Sequence, residues 1–227
     1  RLTTVSAGVD SIGLAGGDFP LSQLREMAAT GKSVESRLFA FWTLHSTMLL
    51  DGAVLAKLAK DKEPAVRAWV ARFSGEHRNY SDEGWHWLRQ LARDPEPTVR
   101  VAAAVAARQR VSGSLTVNTP PPLGGSTVNL LTTLIASSPN ANDLTLGHTV
   151  WMAMEPLVAR DPKFGFDLLG SANVRTAAFA GTLIYKTMRR VCDLQNPAQL
   201  DAALEFLGSL PATDPLLAFA LNGLVDG

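Results

Sequence analysis

Apolar residues fall on helical spacing along most of the chain, and one arrangement of them occurs twice. Residues 55–67 read LAKLAKDKEPAVR and residues 88–100 read LRQLARDPEPTVR, so Leu55, Leu58, Asp61, Pro64, Val66 and Arg67 recur 33 residues later as Leu88, Leu91, Asp94, Pro97, Val99 and Arg100. A fixed period of this length marks a repeat array in which each copy is one supersecondary unit. The Leu-x-x-Leu face closes one helix and the Asp sits where the chain turns. The Pro then enters the first turn of the next helix, where its missing N–H is not needed. Each copy therefore reads as the bend of a helical hairpin. Past the bend, Val66, Trp69, Val70 and Phe73, and then Val99, Ala102, Ala103 and Ala106, keep the i, i+3, i+4, i+7 spacing of a buried stripe.

The same patterning extends to both sides. Residues 1–19 hold Ser6, Gly8, Gly13, Gly16, Gly17 and Asp18 without a sustained period and read as a lead-in segment, so the helical repeat domain is expected over 20–227. Pro20 opens a helix carrying Leu21, Leu24 and Met27 that Gly31 ends, and Ser33 caps a second with Val34, Leu38, Phe41 and Trp42 inside. A second hairpin is predicted from Asp51 to Ser74 and a third from Ser81 to Arg110. Over 111–126 the period fails, and VSGSLTVNTPPPLGG brings three prolines in succession and three glycines, the composition of a long loop. Periodicity returns with Val128, Leu131, Leu134 and Ile135, and again with Leu146, Val150, Trp151 and Met154. Pro156 is expected to kink or restart that last helix. Asp161-Pro162 marks a turn, and Asn173 is the expected cap of a helix holding Leu183 and Ile184. Two final helices are predicted from Pro197 and Pro215, with apolar positions at Leu200, Leu204, Leu207, Leu216, Leu217, Phe219 and Leu224.

Composition narrows the class. Twenty-one basic and 21 acidic residues with 46% hydrophobic content describe an ordinary globular chain able to bury a core. A balanced charge is poor equipment for a phosphate backbone, so no nucleic acid is expected as a partner. The apolar run from Leu38 to Leu50 is broken by His45 and bounded by Arg37 and Asp51, well short of the roughly 20 residues a bilayer needs. The single cysteine, Cys192, has no second thiol in the chain to pair with. The sequence starts at Arg1 without a signal peptide, which suggests a piece of something longer.

Candidate chemistry is sparse. His148, Trp151 and Glu155 fall on one helical face with Asn140, Asn142 and Asp143 just upstream, so Asp143, His148 and Glu155 form a possible polar or cation site; capping and turn formation explain the Asn and Asp residues equally well. Trp85, His86 and Trp87 form an aromatic cluster that reads as a contact surface or as a helix start with one tryptophan buried. No G-x-S-x-G, H-E-x-x-H, phosphate-cradling glycine loop or C-x-x-C-H occurs. No catalytic residue, metal ligand or cofactor is therefore assigned from motifs.

The phrase D-x-x-P-x-V-R, with Val and Arg opening the second helix, resembles the HEAT repeat. In that family the Asp and Arg form a ladder between stacked repeats, and the matching positions are Asp61 with Arg67 and Asp94 with Arg100. RLFAFWTLH at Arg37 to His45, SPNANDLTLGHTVWMAMEPLVARDP at Ser138 to Pro162, and the closing ALEFLGSL and ALNGLVDG are similar to the helical region of large bacterial proteins common in planctomycetes. Those proteins join a quinoprotein-like sugar dehydrogenase propeller, a HEAT array and a c-type cytochrome domain. The resemblance implies an all-α, armadillo-like right-handed α-solenoid of about five or six hairpins. It also implies a non-catalytic scaffold or protein–protein interaction domain that holds a protein partner or neighbouring domains of a larger exported or membrane-associated, periplasmic polypeptide. The redox activity of the parent does not carry over, because neither the propeller nor the haem motif is in this chain. An alternative from another class is a HEAT-like DNA glycosylase or other DNA-binding enzyme, and a third is a ligand-binding helical domain using the His148 region.

Overall fold

The computed structural model describes residues 11–14, 17–76, 82–115, 125–138 and 143–227. Among them are twelve helices and one short antiparallel hairpin, so the fold is all-α in its coarse class. The chain divides into two compact units, Arg1–Val70 and Ala71–Gly227.

The first unit opens with β1 (Ser11–Leu14) paired to β2 (Gly17–Pro20) in the register Ser11↔Pro20 and Leu14↔Gly17. This stretch was expected to be an aperiodic lead-in; four-residue strands are too short for alternation to stand out. Helix α1 (Leu21–Thr30) follows at once and packs on α2 (Val34–Ser46) and α3 (Gly52–Leu58). Ser33 accepts the Ser36 N–H and Asp51 accepts the Val54 N–H, so both helices start with a side chain satisfying a free donor. Helix α4 (Pro64–Glu76) carries the division, its residues to Val70 belonging to this unit. Several expected core positions are not core, Val34 and Leu38 among them being only half-buried. Trp42 is 43% exposed, and Trp69 is half-buried, its ring meeting that of Trp42 edge-on at 5.1 Å. The buried face of α2 is instead Arg37, Ala40, Phe41 and Leu44, rotated by about one residue from the predicted stripe.

That rotation follows from Arg37, whose role the two-copy comparison does not anticipate. Its Nε lies 2.7 Å from Asp61 Oδ2 and its Nη2 donates to Asp61 Oδ1 at 3.0 Å, with both side chains less than a tenth exposed. Its Nη1 donates to the Gly31 carbonyl, six residues back. Arg67 Nη1 does the same to the Asp61 carbonyl at 2.7 Å, and Arg100 Nη1 to the Asp94 carbonyl at 2.8 Å. The Asp side chains turn inward on their own bends, Asp61 accepting the Glu63 N–H and Asp94 the Glu96 N–H. Arg67 and Arg100 grip the main chain of their own bends, while the Asp61 carboxylate joins the Arg of the preceding hairpin.

In the second unit α5 (Asp82–Leu91) and α6 (Pro97–Leu115) form one hairpin, and α7 (Ser126–Ala136) and α8 (Leu144–Arg160) the next. These are followed by α9 (Pro162–Gly170) with α10 (Ala180–Asp193), then α11 (Pro197–Ser209) with α12 (Pro215–Val225). Helix α6 packs on α8, α8 on α10 and α10 on α12, while α5 meets α7 and α9 meets α11. Val99, Ala102, Ala103 and Ala106 are buried as predicted, and Ala104 and Ala107 join them, so α6 is enclosed on most of its circumference. Its small residues permit that closeness.

Several boundaries differ from expectation. Helix α6 runs to Leu115, so the loop predicted to begin at 111 starts later, and 116–124 lie outside the described residues. Alanine-rich α6 has enough propensity and packing to carry Val111 and Ser112 along. Helix α8 is one element through Pro156, because buried Met154, Leu157 and Val158 hold both sides of the missing N–H. Helix α9 went unseen since PKFGFDLLG contains two glycines, yet Phe164, Phe166, Leu168 and Leu169 are all buried. Asn173 is exposed in the turn before α10 and caps nothing; that helix starts at Ala180 after Phe179. Ser81 lies outside the described residues, and Leu204 and Phe219 are exposed rather than core.

Helices α10 and α12 approach so closely that a Cβ on Gly223 would stand 2.4 Å from the Tyr185 carbonyl and 2.8 Å from Met188. We expect Gly223→Ala to cost about 1–3 kcal/mol, the range for overpacking a closed contact, read as a shift in urea midpoint at unchanged m. An unaltered midpoint would place α12 elsewhere. Asp61→Ala removes the carboxylate that pairs with the Arg37 guanidinium and should cost about 3–5 kcal/mol, as breaking a buried pair does. Replacing both partners, Arg37→Met with Asp61→Leu, should recover most of that loss. A double variant no better than the single would mean that the pair is not the source of the cost.

Candidate functional site

Helices α8 and α10 frame a polar groove that contains Glu155, one of the residues the sequence singles out. On α10 the apolar positions Leu183, Ile184, Met188 and Val191 face the core, which sends Tyr185, Lys186, Arg189 and Arg190 to the opposite side. Trp151 and Glu155, one helical turn apart on α8, face them across a cavity of about 530 Å³ that Asp193 closes at the far end.

Charge within this groove is partly matched. Arg190 Nε sits 2.6 Å from Glu155 Oε1, each side chain about a third exposed, so the pair contributes about 1 kcal/mol or less. Lys186 Nζ lies 5.9 Å from the Trp151 ring centroid, within reach of the face of the indole. The Tyr185 hydroxyl donates to Asp226 Oδ2 at 2.9 Å. Among the described residues no carboxylate pairs with Lys186 or with exposed Arg189. The groove thus offers two cations, a half-buried indole and a phenol already oriented by an acid.

A second groove, of about 350 Å³, lies between α9 and α11, lined by Lys163, Phe166, Asp167, Glu205 and Phe206. Its only cation is spoken for. Lys163 donates to both oxygens of Asp167, and that hydrogen bond raises the amine above its ordinary value. The stacked Phe166 and Phe206 rings, 4.8 Å apart, fill its base.

The sequence candidates are distributed rather than gathered. The Asp143 carboxylate accepts the Leu146 N–H as the cap of α8, His148 is exposed one turn on, and Glu155 belongs to Arg190. Among the described residues no three His, Cys, Asp or Glu side chains come together as a metal site. Of the aromatic cluster, Trp87 is buried, Trp85 is half-buried beneath the Arg110 guanidinium at 4.4 Å, and only His86 is exposed, its ring edge-on to Trp87. Arg110 is itself held by the Ser74 carbonyl through Nε and Nη2. Asp61, Pro64, Arg67, Asp94, Pro97 and Arg100 occupy the two bends already described.

By local sequence alone Lys186 and Arg189 are simply cations near a helix C-terminus, where they suit the macrodipole. What sets them apart is the helix opposite, which no local pattern names. No helix of the described residues is long and apolar enough to cross a membrane. No family model, curated protein or solved structure matches the chain.

Cys192 lies on α10 between the groove residues Arg190 and Asp193. Burial pushes its thiol above the ordinary value, and the Asp193 carboxylate adds to the rise. Iodoacetamide at pH 8 should therefore label Cys192 several-fold more slowly in the folded chain than in urea. Equal rates would mean an open, activated thiol.

Proposed function

We propose that this chain is a non-catalytic, HEAT-like right-handed α-solenoid that acts as a scaffold, presenting a docking surface to a protein partner or to neighbouring domains of a longer exported polypeptide. The observation that carries the reading is the thrice-repeated bend, in which Arg37, Arg67 and Arg100 each donate to a carbonyl six residues back. A shared bend chemistry in successive hairpins is what a repeat array requires, since each unit buries its face only against the next. The run of α6, α8, α10 and α12, each packed on the one before, supports the same reading.

The rival is the DNA-binding enzyme of glycosylase type. Its phosphate contacts require cations facing one way, and at least seven of the arginines here are tied to carbonyls or carboxylates of the chain itself. The experiment sets the two against each other. The purified chain is run on a duplex-DNA column across a salt gradient, assayed for release of damaged bases, and coexpressed with the coding sequence on either side of it. We expect no salt-sensitive retention, no base release, and protection from hydrogen exchange along the even-numbered helices when the flanking segments are present. Retention that falls steeply with salt, together with base release, would transfer the protein to the enzyme class.

A further inference from the structure

We propose that the groove between α8 and α10 binds a peptide segment of a partner protein through a single carboxylate, set between Lys186 and Arg189, with an apolar neighbour of that acid laid on Trp151. The inference rests on the scaffold reading and names the chemistry of its docking site.

The placement of charge, not its sum, decides what the groove accepts, since three cations and three carboxylates balance around it. Lys186, Arg189 and Arg190 supply three positive charges, Glu155 already offsets Arg190, and Asp193 lies at the end of the same wall. Asp226, hydrogen-bonded to Tyr185, adds a further negative charge beside it. One incoming carboxylate gains from Lys186 and Arg189, which are three residues apart on α10 and so neighbours on its surface. A second anion would meet Asp193 or Asp226 at close range. Polyanions such as duplex nucleic acid are disfavoured for that reason, and a mono-acidic segment is favoured.

The remaining surface specifies what surrounds the acid. Trp151 is half-buried, so one part of its ring is fixed by packing while the rest faces the groove. A tryptophan held in this way offers a large contact area with little entropy left to lose. Lys186 now stands near that ring, and a carboxylate arriving beside it keeps the cation in place and leaves the indole for an apolar side chain. Trp, Tyr and Arg are the residue types that dominate protein-binding energy, and all three line this one trough. At about 530 Å³ it exceeds what acetate or another bare carboxylate would fill and lies within the range of sites that hold a few residues.

The test uses the whole chain with a capped hexapeptide carrying one Glu between two leucines and the same peptide with Gln in its place, by titration calorimetry at low salt. We expect the Glu peptide to bind at least fivefold more tightly than the Gln peptide. Lys186→Ala with Arg189→Ala should remove that discrimination while leaving the melting temperature within a few degrees. Trp151→Leu should weaken both peptides alike and preserve the Glu preference. Equal affinity for the two peptides, no binding of either at millimolar concentration, or a preference undiminished in a folded double variant would overturn the proposal. Acetate alone competing on equal terms with the peptide would overturn it as well, reducing the site to a simple anion hole. Should the peptide fail while flanking segments still protect the even-numbered helices, this docking chemistry is wrong and the scaffold reading survives. DNA retention with base release would instead remove the scaffold itself.

Discussion

The bend chemistry depends on one problem, which is what to do with main-chain carbonyls where a helix ends and another begins within a few residues. The last carbonyls of a helix have no partner inside it, and burying them bare costs about 1–3 kcal/mol each. The bend that follows has bare carbonyls of its own, and here an arginine at the fourth position of the following helix reaches back and donates to one of these, in Arg37 to Gly31, in Arg67 to Asp61 and in Arg100 to Asp94. The Asp at the bend does the complementary work, accepting the N–H two residues ahead. Donor and acceptor accounts close locally, and each bend can then be buried against the next hairpin. Where the Asp is absent, at Gly31, the Arg still donates to the carbonyl and turns the rest of its guanidinium to Asp61 of the following hairpin. The interaction is thus both intrahairpin support and a rung between hairpins.

Small residues complete what the bends begin. Alanine fills α6, and Gly181 and Gly223 sit where α12 crosses α10, the Phe219 ring lying where a Gly181 Cβ would point. Helices this close leave no depth for a cavity between them, so open volume is displaced to the outer faces. Both grooves accordingly lie along helix surfaces, with mixed polar and aromatic linings.

Much of this was legible in the residues. Leu55 to Arg67 and Leu88 to Arg100 announce the hairpins because a proline at N1, an aspartate at a turn and a fixed period are short-range signals. The alanines of α6 were readable as core for the same reason. Trp42 and Trp69 were misplaced because hydrophobicity alone does not say which of two adjacent faces a helix buries, and the charged Arg37 took the inner one through a partner 24 residues away. Helix α9 was hidden by its two glycines and revealed only by the phenylalanines it buries. Glu155 stands out in sequence only through its spacing from His148 and Trp151 on α8. Its partner is Arg190 on another helix, and long-range pairings of that kind leave no trace in local spacing.

Net charge misleads for a related reason. Twenty-one basic residues would ordinarily be counted as binding capacity, but the fold consumes them unevenly. Arg37, Arg67, Arg100 and Arg110 are spent on main-chain carbonyls, and Arg25, Arg175 and Arg190 on Asp51, Asp214 and Glu155. Arginine suits those posts because its planar fork can serve a carbonyl and a carboxylate together, which the lysine ammonium does less well. A cation that holds a bend cannot also hold a ligand without releasing the bend. Binding therefore falls to cations that the architecture leaves over beside a fixed aromatic surface, and Lys186 and Arg189 next to Trp151 meet that condition. The division of labour between a structural arginine and a surplus one is set by the helix across the way, so it becomes visible only once the chain has folded.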